Sequence, residues 1–559
     1  MTTTAAESWE VLVAAHRERQ RQSIPNEWLL DDAKLAALKG TGSSDEGRLI
    51  QLDAVSQSGL LSQAELDITS NFAAHELVDK LARGELSSED VVRAYCKRAA
   101  LAQQLTSCLT EIFFDEALER AKSLDAQFKA TGIVSGPLHG LPISLKDSYN
   151  VKGKYSTAGY TALLRRPVPE DNAAIVNLLL DAGAVMYCKT NVPQTMMTAD
   201  SDNNIFGRTL NPHNTKLTAG GSTGGEGALV AFRGSPLGVG SDIAGSIRIP
   251  SFCCGIYGFK PTVDRVPFSG QTSSPAPEMH LAGIKPAAGP MANSVDDLVL
   301  FMKTVLGKRP WKYDATAIDS PWRSVAYAGT KPLTIGLLPE DPEYLLQPPV
   351  RRALETAAAL LEKAGHTIVR LPAEPTCSVG LGGKLGFQFF FLPGGDLAGL
   401  ADALGEPLVP SVAKGVHPFM DGKFPIAQDK DLLHKWSDWT DVADQYADAW
   451  RETWVQHGLD VLLAPGAGTT ACPHDAFGNP VYTLMWNVLN YPAGILPFGF
   501  ASKKKDPEFQ KHEAFFDPDY EPEVYNGAPC AVQVIAPRFR DEECLHAMTI
   551  IDTVLKQHQ

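Results

Sequence analysis

Residues 218–254 read TAGGSTGGEGALVAFRGSPLGVGSDIAGSIRIPSFCC. Gly220, Gly221, Gly224, Gly225, Gly227, Gly234, Gly238, Gly240 and Gly245 are packed around Ser222 and Ser246, with few charges between them. Glycine is entropically costly to order and is tolerated where the backbone takes positive φ or comes close to another group. This segment therefore brings its own N–H groups up to something small. A phosphate-cradling loop would carry Gly-Lys-Ser/Thr at the mouth of a helix, whereas the basic residues here are Arg233 and Arg248. A Gly/Ser linker would not be interleaved with apolar runs such as Ala228-Leu229-Val230-Ala231 and Ile247-Arg248-Ile249-Pro250. Gly220-Gly221-Ser222-Thr223-Gly224 fits the G-x-S-x-G of a nucleophile elbow, whose serine ends a buried strand. Asn211-Pro212-His213-Asn214-Thr215-Lys216 precede it instead, and these are turn formers. No later histidine stands in a context that marks it as a triad base.

A reading that uses both serines needs a base from elsewhere. In Gly140-Leu141-Pro142-Ile143-Ser144-Leu145-Lys146-Asp147, Ile143 and Leu145 alternate towards a core. That pattern carries Lys146 to the end of a strand beside Asp147. A lone lysine is most often a solvated surface charge. Its context here is specific: LPISLKDSYNVKG around Lys146 is followed by GGSTGGEGALVA and GSDIAGSIRIP, with the serines 246 − 222 = 24 positions apart. Together these resemble the amidase signature family of serine hydrolases. The likeness runs from about Ser70 to the C-terminus. It takes in Asp181-Ala182-Gly183-Ala184-Val185, Lys189-Thr190-Asn191-Val192-Pro193, and Ala531-Val532-Gln533-Val534-Ile535 with Pro537-Arg538-Phe539. Within the family the chain is most similar to the fungal acetamidase or general amidase group, and next to fatty-acid amide hydrolase.

The resemblance implies an α/β fold with one large central mixed, twisted sheet flanked by helices. It implies no cofactor and no metal. It makes Ser246 the nucleophile, Lys146 the base, and Ser222 a bridging serine placed after a cis peptide bond from Gly221. Cleaving an amide takes a nucleophile, a proton acceptor that later protonates the amine, and donors for the developing oxyanion. For Lys146 to accept a proton near neutral pH, its pKa must fall by about 3 units from roughly 10.4, a bias of about 4 kcal/mol. Burial supplies shifts of that size. The implied oxyanion donors are the N–H groups of Ile243, Ala244, Gly245 and Ser246, ahead of a helix from Ile247 whose dipole favours negative charge. Family members often have glycine where this chain has Ala244, so the backbone there must avoid positive φ. Asp242 and Arg248 are expected to form a structural ion pair, and Glu226 to be a helix N-terminal acid.

By position in the family pattern, Met196, Met197 and Thr198 line the acyl pocket beside the nucleophile, although methionine pairs more often fill cores. Trp486, Asn487 and Asn490 in MWNVLNYPAGILP either close the far side or form a packed strand-loop. Phe387 to Phe391 read as core.

Composition narrows the setting. At 559 residues the chain is long enough for more than one core, though large α/β enzymes often exceed the usual domain size. A formal net charge of −15 argues against a nucleic-acid partner. Nine cysteines form no C-x-x-C pair and no metal-ligand spacing, which fits a reducing compartment. No secretory leader, transmembrane-length apolar run or peroxisomal address is apparent, so the expected location is cytoplasmic.

Residues 1–70 read as a helical lead-in to a catalytic domain over 71–559. A helix is expected from Trp9 to Arg19 and a break at Pro25-Asn26-Glu27-Trp28. The lead-in packs against that domain or against a second subunit of a homodimer. Ser87-Ser88-Glu89-Asp90 starts a helix with Val91, Tyr95 and Ala99 on one face, and Ala117, Ala121, Leu124 and Phe128 mark the next. Asp171 is expected to cap a helix that buries Ile175, Leu178 and Leu179 and ends at Gly183. A strand from Ala184 to Cys188 follows. Alternation resumes at 333–338, 350–364 and 461–464, as α/β layering requires. Residues 375–450 carry the least recognisable pattern and are expected to hold substrate-pocket variation.

The substrate expected from the resemblance is a small aliphatic or aromatic amide, such as acetamide or indole-acetamide, with a fatty-acid amide as the alternative. An amidase subunit of a glutamyl-tRNA amidotransferase is the competing class, and Glu226-Gly227 in place of a small-residue run counts against it. A catalytically dead binding protein would have lost Lys146, Ser222 or Ser246, and all three are present.

Overall fold

The structure, a computed structural model, describes residues 8–272, 283–325, 332–391, 399–414, 430–512 and 517–558. The strands in chain order are β1 (Leu109–Ile112), β2 (Pro142–Lys146), β3 (Val185–Thr190), β4 (Leu237–Asp242), β5 (Tyr257–Lys260) and β6 (Ala287–Ala292). Then come β7 (Thr334–Leu337), β8 (Thr367–Arg370), β9 (Val461–Pro465), β10 (Ala493–Phe500) and β11 (Pro529–Ile535). They form one 11-stranded sheet in the order β1-β3-β2-β4-β6-β5-β10-β11-β9-β7-β8. The sheet is mixed: β2 runs parallel to β3 and β4, β7 runs parallel to β8 and β9, and antiparallel pairs join these groups. The α/β architecture with a large mixed sheet is thus as expected.

β2, β3 and β4 are buried along their whole length, the pattern of central strands covered by helices on both faces. Their register fixes the geometry that follows, because Lys146 pairs with Thr190 and Leu145 with Val239. The helix Ser88–Thr106 opens at Ser87, whose side chain accepts the Asp90 N–H, and buries Val91, Tyr95 and Ala99. The helix Phe114–Thr131 buries Ala117, Ala121 and Leu124, leaves Phe128 half-buried, and stops at Gly132. The helix between β2 and β3 spans Ala174–Asp181 and is entered from Ala173. Asp171, the expected cap, lies outside it and is exposed.

The first helix extends to Gln22, beyond the expected Arg19, and a 3-10 turn at Asn26–Trp28 follows it. It docks on β1: Gln20 Nε2 donates to the Leu109 and Thr110 carbonyls at 2.8 and 3.0 Å, and Arg19 Nη2 donates to Glu111 at 2.7 Å. Phe387, Phe389 and Phe390 lie in the main core, on a helix (Val379–Phe391) packed against the helix Val481–Val488. Of the variable stretch 375–450, residues 392–398 and 415–429 lie outside the described residues. No helix among the described residues is long and apolar enough to cross a membrane.

The glycine-rich helix Gly224–Ala231 sits hard against the backbone just before β1 and just after β3. A Cβ on Gly225 would lie 2.2 Å from the Asn191 nitrogen and 2.6 Å from the Cys108 carbonyl oxygen, both backbone atoms. Gly225→Ala should therefore cost about 2–3 kcal/mol through overpacking. A thermal melt checks this, and an unchanged midpoint would contradict the close packing.

Candidate active site

Lys146 ends β2 and is buried. Its Nζ donates to Ser222 Oγ at 2.7 Å and to Ser241 Oγ at 3.0 Å. Burial pulls the lysine pKa down to about 7, against the opposing charges of Asp242 and Asp147. Ser241 is not among the residues the sequence singles out. It arrives because β4 lies parallel to β2 with Leu145 opposite Val239, so the end of β2 faces Gly240 and Ser241. A pairing of LPISLK with LGVGSD in that register is the signal that could have revealed it.

Ser222 follows a cis peptide bond from Gly221. The Thr198–Ala199 backbone presses on Gly221, where an added Cβ would meet the Thr198 carbonyl oxygen at 2.3 Å. Thr198 thus reaches this corner through its backbone. Met196 packs against the cluster of Ala158, Tyr160 and Leu163, and Met197 against the main core.

Ser246 lies on the turn between β4 and the helix Arg248–Cys253. Asp242 organises that turn. Its Oδ1 accepts from the Gly245 N–H (2.9 Å), Arg248 Nη2 (2.9 Å) and Asn487 Nδ2 (3.0 Å), and its Oδ2 from the Ile247 N–H (3.1 Å) and Arg248 Nε (3.0 Å). Burial pushes the carboxyl pKa up, but the Arg248 charge and these hydrogen bonds hold it well below the usual carboxylate range. Arg248 in turn donates to the Thr483 carbonyl and Gln533 Oε1, both at 2.9 Å, and to Asn487 Oδ1 at 2.6 Å. The ion pair is the structural one expected.

The positive φ in this turn falls on Gly245, at +129°, so alanine at 244 is accommodated. A Cβ on Gly245 would lie 2.3 Å from Thr483 Oγ1, the hydroxyl that donates to the Ala244 carbonyl at 2.6 Å. One expectation is revised by this geometry. The Gly245 N–H is already committed to Asp242, so it shapes the turn. The N–H groups of Ile243, Ala244 and Ser246 have no such internal acceptor among the described residues.

A Cβ on Gly240 would touch both the Thr223 and the Ile247 side chains at 3.0 Å, so the residues following Ser222 and Ser246 meet over the same point of β4. Ser222 takes its hydrogen bond from a lysine; among the described residues no histidine is bonded to it, as an elbow would require.

Several other expectations resolve as structure. Glu226 lies in the first turn of the helix Gly224–Ala231, as expected, and is fully buried there: it accepts from Ser144 Oγ at 2.6 Å, and burial pushes its pKa up to about 8. In the core Trp486 meets Trp450 edge to face and stacks on Tyr491, Asn487 braces Arg248, and Asn490 accepts the Val263 N–H at 2.8 Å. A cavity of about 640 Å³ between the helices Val379–Phe391 and Leu432–His457 holds none of Lys146, Ser222 or Ser246.

Because Arg248 is fully buried, removing its carboxylate partner leaves an uncompensated charge. Asp242→Asn should lower stability by about 3–5 kcal/mol and release the Ser246 turn. Denaturant titration reads the first effect, and a wild-type midpoint would contradict it.

Comparison with known proteins agrees with this architecture. The family model described as amidase matches residues 90–380 and 410–545. Over 554 residues the chain is 41% identical to an amidase of Gibberella moniliformis, covering 98% of this chain and 99% of that one. It is 39% identical to an acetamidase of Emericella nidulans, covering 96% and 97%. It superposes on a solved fatty acid amide hydrolase with a TM-score of 0.87 at 33% identity, covering 98% of this chain and 95% of that chain. A buried lysine beside a cis-peptide serine, on a sheet and a chain-length match of this kind, leads to one assignment: the chain belongs to the amidase family of amide hydrolases.

Proposed function

We propose that the protein hydrolyses small aliphatic or aromatic carboxamides through an acyl-enzyme on Ser246, with Ser222 and Lys146 as the proton relay. The observation that carries this reading is the 2.7 Å contact between Lys146 Nζ and Ser222 Oγ in a site dry enough to bring the lysine pKa to about 7. Above that pH the amine is neutral and has a lone pair to offer. It takes the Ser222 proton while Ser222 takes that of Ser246, and Ser246 Oγ attacks the amide carbon. The oxyanion forms facing the N–H groups of Ile243, Ala244 and Ser246. The relay then runs backwards, protonating the leaving nitrogen as the C–N bond breaks. Water enters the same path, releases the acid and restores Ser246.

The likeness to acetamidases of Emericella nidulans and Aspergillus oryzae supports a short acyl group. The fatty acid amide hydrolase likeness supports the competing reading of a longer one. All nine cysteines are free, which supports a reducing compartment such as the cytoplasm.

Ser246→Ala should lower kcat for amides by about 10⁵-fold or more while leaving the melting curve in place. Lys146→Ala should harm amides far more than esters, because an alkoxide leaves with less need of a proton; equal losses would contradict the relay. Peptide mass spectrometry after fluorophosphonate treatment should find the label on Ser246. A label on Ser222 would overturn the assignment.

A further inference from the structure

We propose that Glu406 is a positioning residue that sets acyl-chain selectivity, by clamping an apolar wall formed by Ala158, Tyr160, Leu163, Met196 and Leu400 beside the Lys146–Ser222 corner. The inference rests on the catalytic reading above only for where the reacting carbonyl lies.

Glu406 is 3% exposed, and its carboxylate gathers donors from three separate segments. Oε2 accepts from the Thr161 N–H at 2.8 Å and Thr161 Oγ1 at 2.5 Å. Oε1 accepts from Gln194 Nε2 at 2.9 Å and Asn204 Nδ2 at 3.1 Å. The same two amides also donate to the Pro407 carbonyl, at 3.1 and 2.7 Å, and Gln194 Oε1 accepts the Val409 N–H at 2.9 Å. A carboxylate desolvated to this degree is retained only if its acceptor sites are filled, and here neutral donors fill them.

These contacts belong to a chain of neighbours that starts beside the base and ends beside its serine. Next to Lys146, Asp147 Oδ2 accepts the Thr157 and Ala158 N–H groups, both at 2.8 Å. Gly159 then lies so close to Pro193 and Gln194 that a Cβ would meet the Pro193 carbonyl oxygen at 2.5 Å. Thr161 and Gln194 meet at Glu406. Beyond Gln194 the chain takes left-handed φ values at Thr195 (+75°) and Met196 (+57°), which favour glycine and persist only where surroundings impose them. It returns at Thr198, whose carbonyl presses on Gly221 before Ser222.

Met196 and Leu400, both half-buried, pack over the buried Ala158, Tyr160 and Leu163. Leu400 and Glu406 come from residues 381–409, which separate the two stretches matched by the family model. The wall is thus made partly from chain that the shared family pattern does not dictate. A short acyl group needs little of such a wall, whereas a longer one must lie along it.

The test compares KM and kcat for acetamide, butanamide and hexanamide in the wild type and in Glu406→Gln, which places an NH₂ group among donors. The expected result is a tenfold or greater rise in KM for hexanamide, a much smaller rise for acetamide, and little difference in how kcat changes along the series. A rise in KM that is equal for all three amides, or a fall in kcat alone, would overturn the proposal. Thr161→Val keeps the backbone N–H and removes one donor; should Glu406→Gln fail to fold, it must show the same trend at about threefold, and a flat trend counts against the clamp. The fluorophosphonate-labelled residue of the wild type is read in parallel. A label away from Ser246 would sink the catalytic assignment, while the KM series would still decide the role of Glu406.

Discussion

Burying the Lys146 amine against Ser222 Oγ is the interaction on which the rest of the structure depends. An ammonium ion in that position would lack water, and Asp242 and Asp147 together do not offset the loss, so the pKa falls to about 7. Three parallel strands make this possible. β2 carries the lysine to its last residue, β3 covers one side, and β4 brings Ser241 as a second partner for Nζ. The sheet therefore does more than support a loop, because its register decides which hydroxyls meet the amine.

A second buried polar assembly holds the turn that carries Ser246. Asp242 and Arg248 are both fully inaccessible along their side chains and are satisfied by Asn487, Gln533 and the backbone of the Ser246 turn. Buried ion pairs are weak evidence for net stability, and their attested use is to fix one arrangement over others. Here the arrangement is the turn itself: Gly245 takes the positive φ, its N–H goes to Asp242, and Thr483 fastens the Ala244 carbonyl. The N–H groups of Ile243, Ala244 and Ser246 have no acceptor among the described residues, and the proposed oxyanion site is built on them.

Much of this architecture is legible in the amino-acid sequence, and the divide follows the range of the interactions. The strand ending in Lys146 and the helices that bury Val91 or Ala117 are set by local periodicity, which a sequence displays directly. Glu226 reads correctly as a helix N-terminal acid because its place in the first turn is a local fact, while its burial against β2 and β4 leaves no local mark. Asp171 carries a capping signal, yet the helix begins after Ala173. Trp486 reads equally as a pocket wall or as part of a packed strand-loop, and what puts it in the core is Trp450, from a distant helix, together with the nearby Tyr491. Ser241 and Glu406 have no local mark at all, since each matters through partners brought from distant segments.

The most direct test of the central claim is the pH dependence of the second-order rate of inactivation by a fluorophosphonate, which requires an activated serine but no protonation of an amine leaving group. If neutral Lys146 is the base, the rate rises with pH through a single limb near 7, because protonation below that value removes the acceptor. A rate independent of pH across that range, or a limb near the ordinary lysine value of about 10.4, would contradict the account.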